Sequence, residues 1–261
     1  MDHEQVPVLD ALAAYHAERQ LPFAPPGHKQ GRGADPRVRA ALGDAVFRGD
    51  LLAMNGLDDR TSSRQVLQRA QELMADAVGA EHTFFSTCGS SLSVKAAMLS
   101  VAGPHEKLLI GRDAHKSVVS GLVLAGIRPV WVDPQWDPDL HLAHPPSAET
   151  RHPDARGPLV TTPTPYGTCS DLAAVAEVCH RHGVPLVVDE AWGAHLPFHP
   201  DLPTWAMDAG ADVCVTSVHK MGSGLEQGSV FHLQGDLVDP ATLRSREDLL
   251  GTTSSSVLLY A

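Results

Sequence analysis

The chain has 261 residues, a length that fits one large domain or two small ones, and its 43% hydrophobic and 20% charged residues are typical of a globular protein. Its 20 lysines and arginines against 31 aspartates and glutamates give a net charge of −11, which disfavours a nucleic-acid-binding protein because phosphate binding needs a basic surface. No stretch approaches the ~18 apolar residues of a membrane span, and the acidic N-terminus does not resemble a signal peptide, so we expect a cytoplasmic protein that contacts no membrane.

The first 60 residues predict an arm and a short lead-in segment. Prolines at positions 7, 22, 25 and 26 and glycines at 27, 31 and 33 leave room for one or two short helices. From Ser62 onward, apolar residues recur every three or four positions as far as Gly79, which predicts an amphipathic helix. We therefore divide the chain into residues 1–60 and a major domain at residues 61–261.

Short apolar runs alternate with helical patterns after residue 80. The runs lie at residues 83–86, 107–110, 129–132, 159–162, 185–189, 212–216 and 229–233, and the clearest helical stretches at residues 91–101, 116–125 and 171–182. This alternation predicts an α/β fold of three layers, α/β/α, with a mostly parallel sheet of about seven strands. In such sheets the functional groups gather at the carboxyl ends of the strands.

Cysteine and histidine spacing favours neither a disulfide framework nor a metal site. The four cysteines form no C-x-x-C motif, and we expect them to be reduced. The 15 histidines raise the question of zinc, but neither His180-x-His182 nor His195-x-x-x-His199 is followed by another ligand at a suitable spacing. We predict no metal.

Two polar clusters follow the first two predicted strands. Cys88-Gly89-Ser90-Ser91 stands between a strand and a helix, where hydroxyl groups and backbone N–H groups bind anions, although ordinary helix capping would use the same residues. His115 follows the next strand, where it could stack on a planar ligand or relay protons, or simply be exposed.

Two further clusters follow strands near the predicted centre of the sheet. Asp189 ends a buried run, and its carboxylate calls for a cationic partner unless backbone N–H groups in the following loop satisfy it. Lys220 follows the next strand, beside Ser217 and His219, and a lysine in a dry site can trap a carbonyl group. A surface lysine is the alternative.

Together the four clusters supply what a pyridoxal phosphate site requires, namely an anion cup, a ring stacker, a carboxylate for the ring nitrogen and a Schiff-base lysine. The sequence resembles the major domain of the Orn/Lys/Arg decarboxylases, members of the aspartate-aminotransferase-like superfamily of fold type I pyridoxal phosphate enzymes. The matching segments are residues 26–31 (PGHKQG), 56–59 (GLDD), 88–91 (CGSS), 113–117 (DAHKS), 189–196 (DEAWGAHL), 217–220 (SVHK), 227–230 (QGSV) and 252–256 (TTSSS).

The resemblance implies a role for each matched residue. Lys220 would form the Schiff base, Asp189 would hydrogen-bond the pyridine nitrogen, and His115 would stack on one face of the ring. The other contacts to the cofactor would come from Ala191 on the opposite ring face and from Gly89, Ser90, Ser91, Ser217 and His219 at the phosphate. We assign no catalytic role to Trp192, where many relatives have histidine.

The resemblance also implies decarboxylation of arginine, lysine or ornithine to a polyamine or diamine by a homodimer or higher homo-oligomer. The chain ends at Ala261, within the element that usually continues the major domain, so we expect a truncated form without the C-terminal domain. An aminotransferase or another pyridoxal phosphate enzyme would use the same residues, and a non-catalytic fragment is a third hypothesis.

Overall fold

A computed structural model describes residues 1–18, 21, 23–52, 57, 65–147, 152–253 and 255–261. The start of the predicted helix at Ser62, the 56–59 motif apart from Leu57, and Ser254 lie outside the described residues. Two compact units are present, Met1–Ala77 with Thr253–Ala261, and Val78–Thr252. These units are defined by contacts in space, whereas the boundary predicted at residue 60 was based on a change of composition along the chain. The predicted division therefore stays a prediction.

The first unit is helical. It contains α1 (Pro7–Ala17), α2 (Pro36–Leu42), α3 (Asp44–Gly49) and α4 (Val66–Val78) as far as Ala77. The expectation of one or two short helices before residue 60 was wrong, because Pro7 and Pro36 begin helices rather than break them. Its small core joins apolar residues of α1 to Leu51 and Val257.

The second unit is built on the predicted sheet. Its strands are β1 (His82–Ser86), β2 (Lys107–Gly111), β3 (Arg128–Val132), β6 (Ala155–Thr161), β7 (Val187–Asp189), β8 (Val213–Ser217) and β9 (Ser229–Leu233), with a separate hairpin of β4 (Gln135–Asp137) and β5 (Leu142–His144). Their order is β1-β9-β8-β7-β6-β2-β3, and each pair is parallel except those that β9 makes with β1 and β8. The predicted seven-stranded, mostly parallel sheet is confirmed; the hairpin was not predicted.

Helices cover both faces of this sheet. They are α5 (Ser90–Val101), α6 (Lys116–Ala125), α7 (Leu172–Arg181) and α9 (Pro240–Leu250), and the one-turn α8 (Val218–Met221) follows the end of β8. Leu108 and Ile110 of β2 join a core with α5 and α6, whereas Leu109 between them lines a cavity together with Val175 and Cys179 of α7. Because side chains of a strand alternate between faces, this division defines the three layers. Within the described residues, every helix is too short or too polar to cross a bilayer.

A buried histidine links three strands of the sheet. His232 of β9 lies 3.1 Å from the Thr83 hydroxyl in β1 and 3.2 Å from the Thr216 hydroxyl in β8, and the Trp205 ring meets it edge-on. Burial lowers the pKa of His232 to about 3. The neutral ring therefore donates to one hydroxyl and accepts from the other.

We predict that the stability contribution of His232 is lost in acid. The pKa of this histidine is lower in the folded chain than its ordinary value of 6.5, so its contribution is complete above pH 6.5 and falls as the pH drops toward 3. Between pH 7.5 and 5.5, the wild-type free energy of unfolding should fall by about 1.4 kcal/mol relative to that of His232→Gln. Urea unfolding measures the free energies of the wild type and of His232→Gln at both pH values, and substitution of the exposed His199 by glutamine is the control. A difference between wild type and His232→Gln that is the same at both pH values would contradict the prediction.

Candidate active site

Four of the predicted clusters meet at one edge of the sheet. The strands β1, β2, β7 and β8 all end there, and each is followed by one cluster. The antiparallel β9 begins at the same edge, since Ser229 pairs with Ser86 at the end of β1 and with Ser217 at the end of β8. Parallel topology thus brings together segments that lie far apart in sequence.

The turn into α5 has the properties of an anion site. Gly89 adopts a φ of +71°, a conformation that favours glycine, and its N–H donates to the Gln227 carbonyl at 2.9 Å. Gly89, the N-cap residue of α5, has no side chain that could cap the helix, so the N–H groups of Ser90 and Ser91 can serve a bound anion. The Ser217 hydroxyl donates to the Ser90 hydroxyl at 2.8 Å, which places two hydroxyl groups beside this turn.

Asp189 is a buried carboxylate at the centre of the sheet. It is the last residue of β7, pairs with Thr161 and Val215 on either side, and is 3% exposed. Burial raises its pKa to about 6, against the opposing effects of the Ala191 N–H, 3.3 Å from Oδ1, and the charge of Lys220. One weak hydrogen bond and one lysine leave this carboxylate suited to a further cationic partner.

Lys220 lies in α8, the short helix that follows β8. Its Nζ is 4.3 Å from the centroid of the Trp192 ring, a cation–π contact. Its charge lowers the pKa of both Asp189 and His115, so Lys220 is electrostatically coupled to both other predicted catalytic residues. Trp192 was not predicted from the sequence as the partner of the lysine, although its place three residues after Asp189 on the same strand-end turn was a signal.

His115 caps the N-terminus of α6. Its Nδ1 accepts the Ser117 N–H at 3.2 Å and lies 2.9 Å from the Ser117 hydroxyl, which places the ring proton on Nε2. Partial burial lowers its pKa, and the charges of Lys220 and Lys116 add to this effect. The ring is therefore held neutral and in a fixed orientation at the site edge.

The remaining predicted residues also lie at this edge. Ala191 is buried directly after Asp189 and Glu190, and Ser91 is exposed in the first turn of α5. The Nδ1 of His219 donates to the Gly228 carbonyl at 2.9 Å, and its Nε2 is 3.7 Å from the Glu226 carboxylate. The hydrogen bonds of His219 thus tie it to the loop before β9. Across the described residues, no group of three or more histidine, cysteine, aspartate or glutamate side chains could hold a metal ion.

Comparison with known proteins identifies the family of this chain. Residues 6–261 match the model of the Orn/Lys/Arg decarboxylase major domain. The chain belongs to this family. It is 41% identical to an arginine decarboxylase of Halalkalibacterium halodurans over 99% of this chain and 54% of the relative. It is 39% identical to an arginine decarboxylase of Bacillus subtilis over 100% of this chain and 54% of the relative. The chain thus spans about half the length of these curated relatives.

Solved structures of this family share the fold. Lysine decarboxylase A from Pseudomonas aeruginosa superposes with a TM-score of 0.83 at 24% identity, covering 97% of this chain and 39% of that one. The constitutive lysine decarboxylase of Escherichia coli gives a TM-score of 0.78 at 23% identity, covering 98% and 39%. At identities of 23% and 24%, these structural similarities establish the fold of this chain.

We predict that Asp189→Asn stabilises the ligand-free chain. The pKa of Asp189 rises from its ordinary 3.8 to about 6 on folding, so its stability contribution is complete below pH 4 and is lost as the pH rises through 6. At pH 7.5 the amide should raise the free energy of unfolding by on the order of 2 kcal/mol, and the gain should shrink to less than about half of that at pH 4.5.

Chemical denaturation at the two pH values measures this gain. The matched control is Asp212→Asn at the opposite end of β8, where the carboxylate accepts from the Leu186 N–H at 2.8 Å and pairs with His180 at 3.0 Å. This substitution should destabilise the chain because it replaces the negatively charged partner of His180 with a neutral amide and so weakens both hydrogen bonds. Equal destabilisation by both substitutions at pH 7.5 would contradict the prediction.

Proposed function

We propose that this chain is the pyridoxal phosphate-binding major domain of a decarboxylase that acts on a basic amino acid, arginine, lysine or ornithine. One observation carries the proposal. The buried carboxylate of Asp189 lies within the electrostatic influence of Lys220, at the same edge of the sheet as the N-terminus of α5. The names of the relatives, arginine and lysine decarboxylases, support the substrate class.

The residues at the sheet edge fit this cofactor in each of its parts. Its phosphate suits the first turn of α5 with Gly89, Ser90 and Ser91, and the hydroxyl of Ser217 lies beside it. Its protonated ring nitrogen suits Asp189, which is buried and accepts one weak hydrogen bond within the described part of the chain. Its aldehyde calls for an amine, which Lys220 supplies.

Each residue then has a specific task. Asp189 holds the proton on the ring nitrogen, because opposite charges at close range stabilise each other in a buried site. Lys220 provides the amine that binds the cofactor covalently, and Trp192 holds that amine at the site edge. When bound, the cofactor supplies an electron sink for the carbanion that forms as carbon dioxide leaves.

His115, Ala191 and His219 complete the proposed site. The neutral ring of His115 offers a flat surface to one face of the cofactor, and its protonated Nε2 can donate a hydrogen bond. Ala191, which is buried, would pack on the other face. His219, fixed by the Gly228 carbonyl, supports the phosphate side through the loop before β9. A homodimer in the cytoplasm is part of the proposal, and it rests on the sequence alone.

We predict that the chain acquires a visible imine band with pyridoxal phosphate that depends on Lys220. The band should be absent from Lys220→Ala, and borohydride should trap the cofactor only on the wild-type chain, because only a lysine imine is reduced to a stable amine. Lys116→Ala, which removes an exposed lysine beside His115, is the matched control and should retain the band. A band that persists in Lys220→Ala would overturn the assignment of this lysine.

Product analysis then distinguishes the reactions that this scaffold supports. Incubation of the loaded chain with arginine, lysine or ornithine should release carbon dioxide and the corresponding amine. A keto acid product would identify an aminotransferase instead. A loaded chain that yields neither product would favour a cofactor-binding fragment over a complete enzyme.

A further inference from the structure

Glu190 is a buried carboxyl group to which the proposed reaction gives no task. It directly follows Asp189 and is 1% exposed. Its Oε2 accepts from two donors, the Cys214 thiol at 3.3 Å and the Ala206 N–H at 3.4 Å. Cys214 lies in β8, whereas Ala206 lies in the connection between residue 198 and the start of β8 at Val213. One side chain therefore connects the end of β7 to two separate parts of the second unit.

The backbone of Glu190 strengthens the same connection. Its N–H donates to the Val215 carbonyl in β8 at 2.9 Å, and its own carbonyl accepts from the Gly193 N–H at 2.8 Å. A Cβ atom at Gly193 would collide with Cγ of Glu190 and approach its Cδ to 2.9 Å. The glycine at position 193 is thus required by the path of the Glu190 side chain.

The protonation state of Glu190 suits a bridging role. Burial raises its pKa to about 8, although both of its donors oppose this effect. Burial and the proximity of Glu190 raise the pKa of the Cys214 thiol, which therefore keeps its proton and remains a donor. Burial raises the pKa of the Cys169 thiol, and the charge of Glu190 adds to this effect. Asp189 is the neighbouring residue in the chain, and its charge contributes to the raised pKa of Cys214. Near pH 7, Glu190 is therefore mostly protonated and neutral, whereas Asp189 is mostly ionised.

We propose that Glu190 is a positioning residue for Asp189, acting as a buried hydrogen-bonding bridge from the end of β7 to Cys214 and to the backbone of Ala206. This inference rests on the proposed function, because the position of Asp189 matters only if its carboxylate holds the ring nitrogen of a cofactor. Asp189 itself has one weak hydrogen bond, from Ala191 in the turn that Glu190 anchors. A shift of this turn moves the carboxylate away from the nitrogen and weakens cofactor binding.

Cofactor affinity of the full chain tests the bridge. Glu190→Gln keeps the acceptor oxygen and the shape, whereas Glu190→Leu removes the acceptor and leaves two buried donors unpaired. The dissociation constant for pyridoxal phosphate, measured from the visible band, should stay within about threefold of wild type for the glutamine variant and rise at least about tenfold for the leucine variant. The matched control is Glu247→Leu, a substitution of another buried glutamate in α9, which should lower the melting temperature without changing this constant.

The pH dependence of the same constant provides a second measurement, which decides the matter even if Glu190→Leu does not fold. Ionisation of Glu190 above pH 8 leaves both hydrogen bonds in place but adds a second buried negative charge directly after Asp189, and the repulsion between the two carboxylates displaces the turn, whereas the glutamine cannot ionise. The dissociation constant of the wild type should therefore rise relative to that of Glu190→Gln between pH 7 and 9. Groups common to both proteins, such as Lys220, cancel in this ratio.

The outcomes separate the two proposals. A wild-type chain without a Lys220-dependent band would overturn the proposed function and this inference with it. A wild-type chain that binds the cofactor, beside a folded Glu190→Leu that binds it equally tightly, would overturn the inference alone. A ratio that does not change with pH, or a glutamine variant as weak as the leucine variant, would also contradict the bridge.

Discussion

The burial of a carboxylate at the centre of the sheet is the constraint on which the rest of the candidate site depends. Asp189 ends β7 between two parallel neighbours, where it is buried and, among the residues that the structure describes, accepts one hydrogen bond, from the Ala191 N–H. Such a group is unstable unless a cation approaches, and its raised pKa expresses this in the ligand-free chain. Lys220 opposes the raised pKa of Asp189 with its positive charge, and the turn at residues 190–193 follows Asp189 directly. The neutral His115 ring lies at the same edge of the sheet.

The sequence predicted the sheet well because its strands are short, apolar and separated by helical patterns. In a sheet covered on both faces, most strand residues are buried, so runs such as residues 212–216 stand out from the polar segments around them. The site residues followed from the same logic, since polar side chains just after such runs, Asp189 and Lys220 among them, lie at the carboxyl edge. The helices before residue 60 were misjudged because proline was taken as a breaker.

The rest of the site could not be read from the sequence because it depends on tertiary contacts. The hairpin of β4 and β5 has three residues in each strand, and none of them is buried, so it has no apolar pattern to detect. The contact of Trp192 with Lys220 joins residues 28 positions apart through the geometry of two adjacent strand ends. The bridge from Glu190 to Cys214 likewise exists only once β7 and β8 are paired, and no local pattern marks a buried glutamate.

The reversed direction of β9 has a consequence for how this scaffold can diversify. Because β9 returns antiparallel directly from α8, the segment of residues 222–228 leaves and re-enters the sheet at the same edge. Its ends are held by Gly222, which bonds to Val218, and by Gly228, whose carbonyl accepts from His219. Side chains between these two anchors can therefore be exchanged without moving a strand as long as the Gln227 carbonyl keeps its hydrogen bond from the Gly89 N–H, so the surroundings of the site can evolve while the sheet that supports it stays the same.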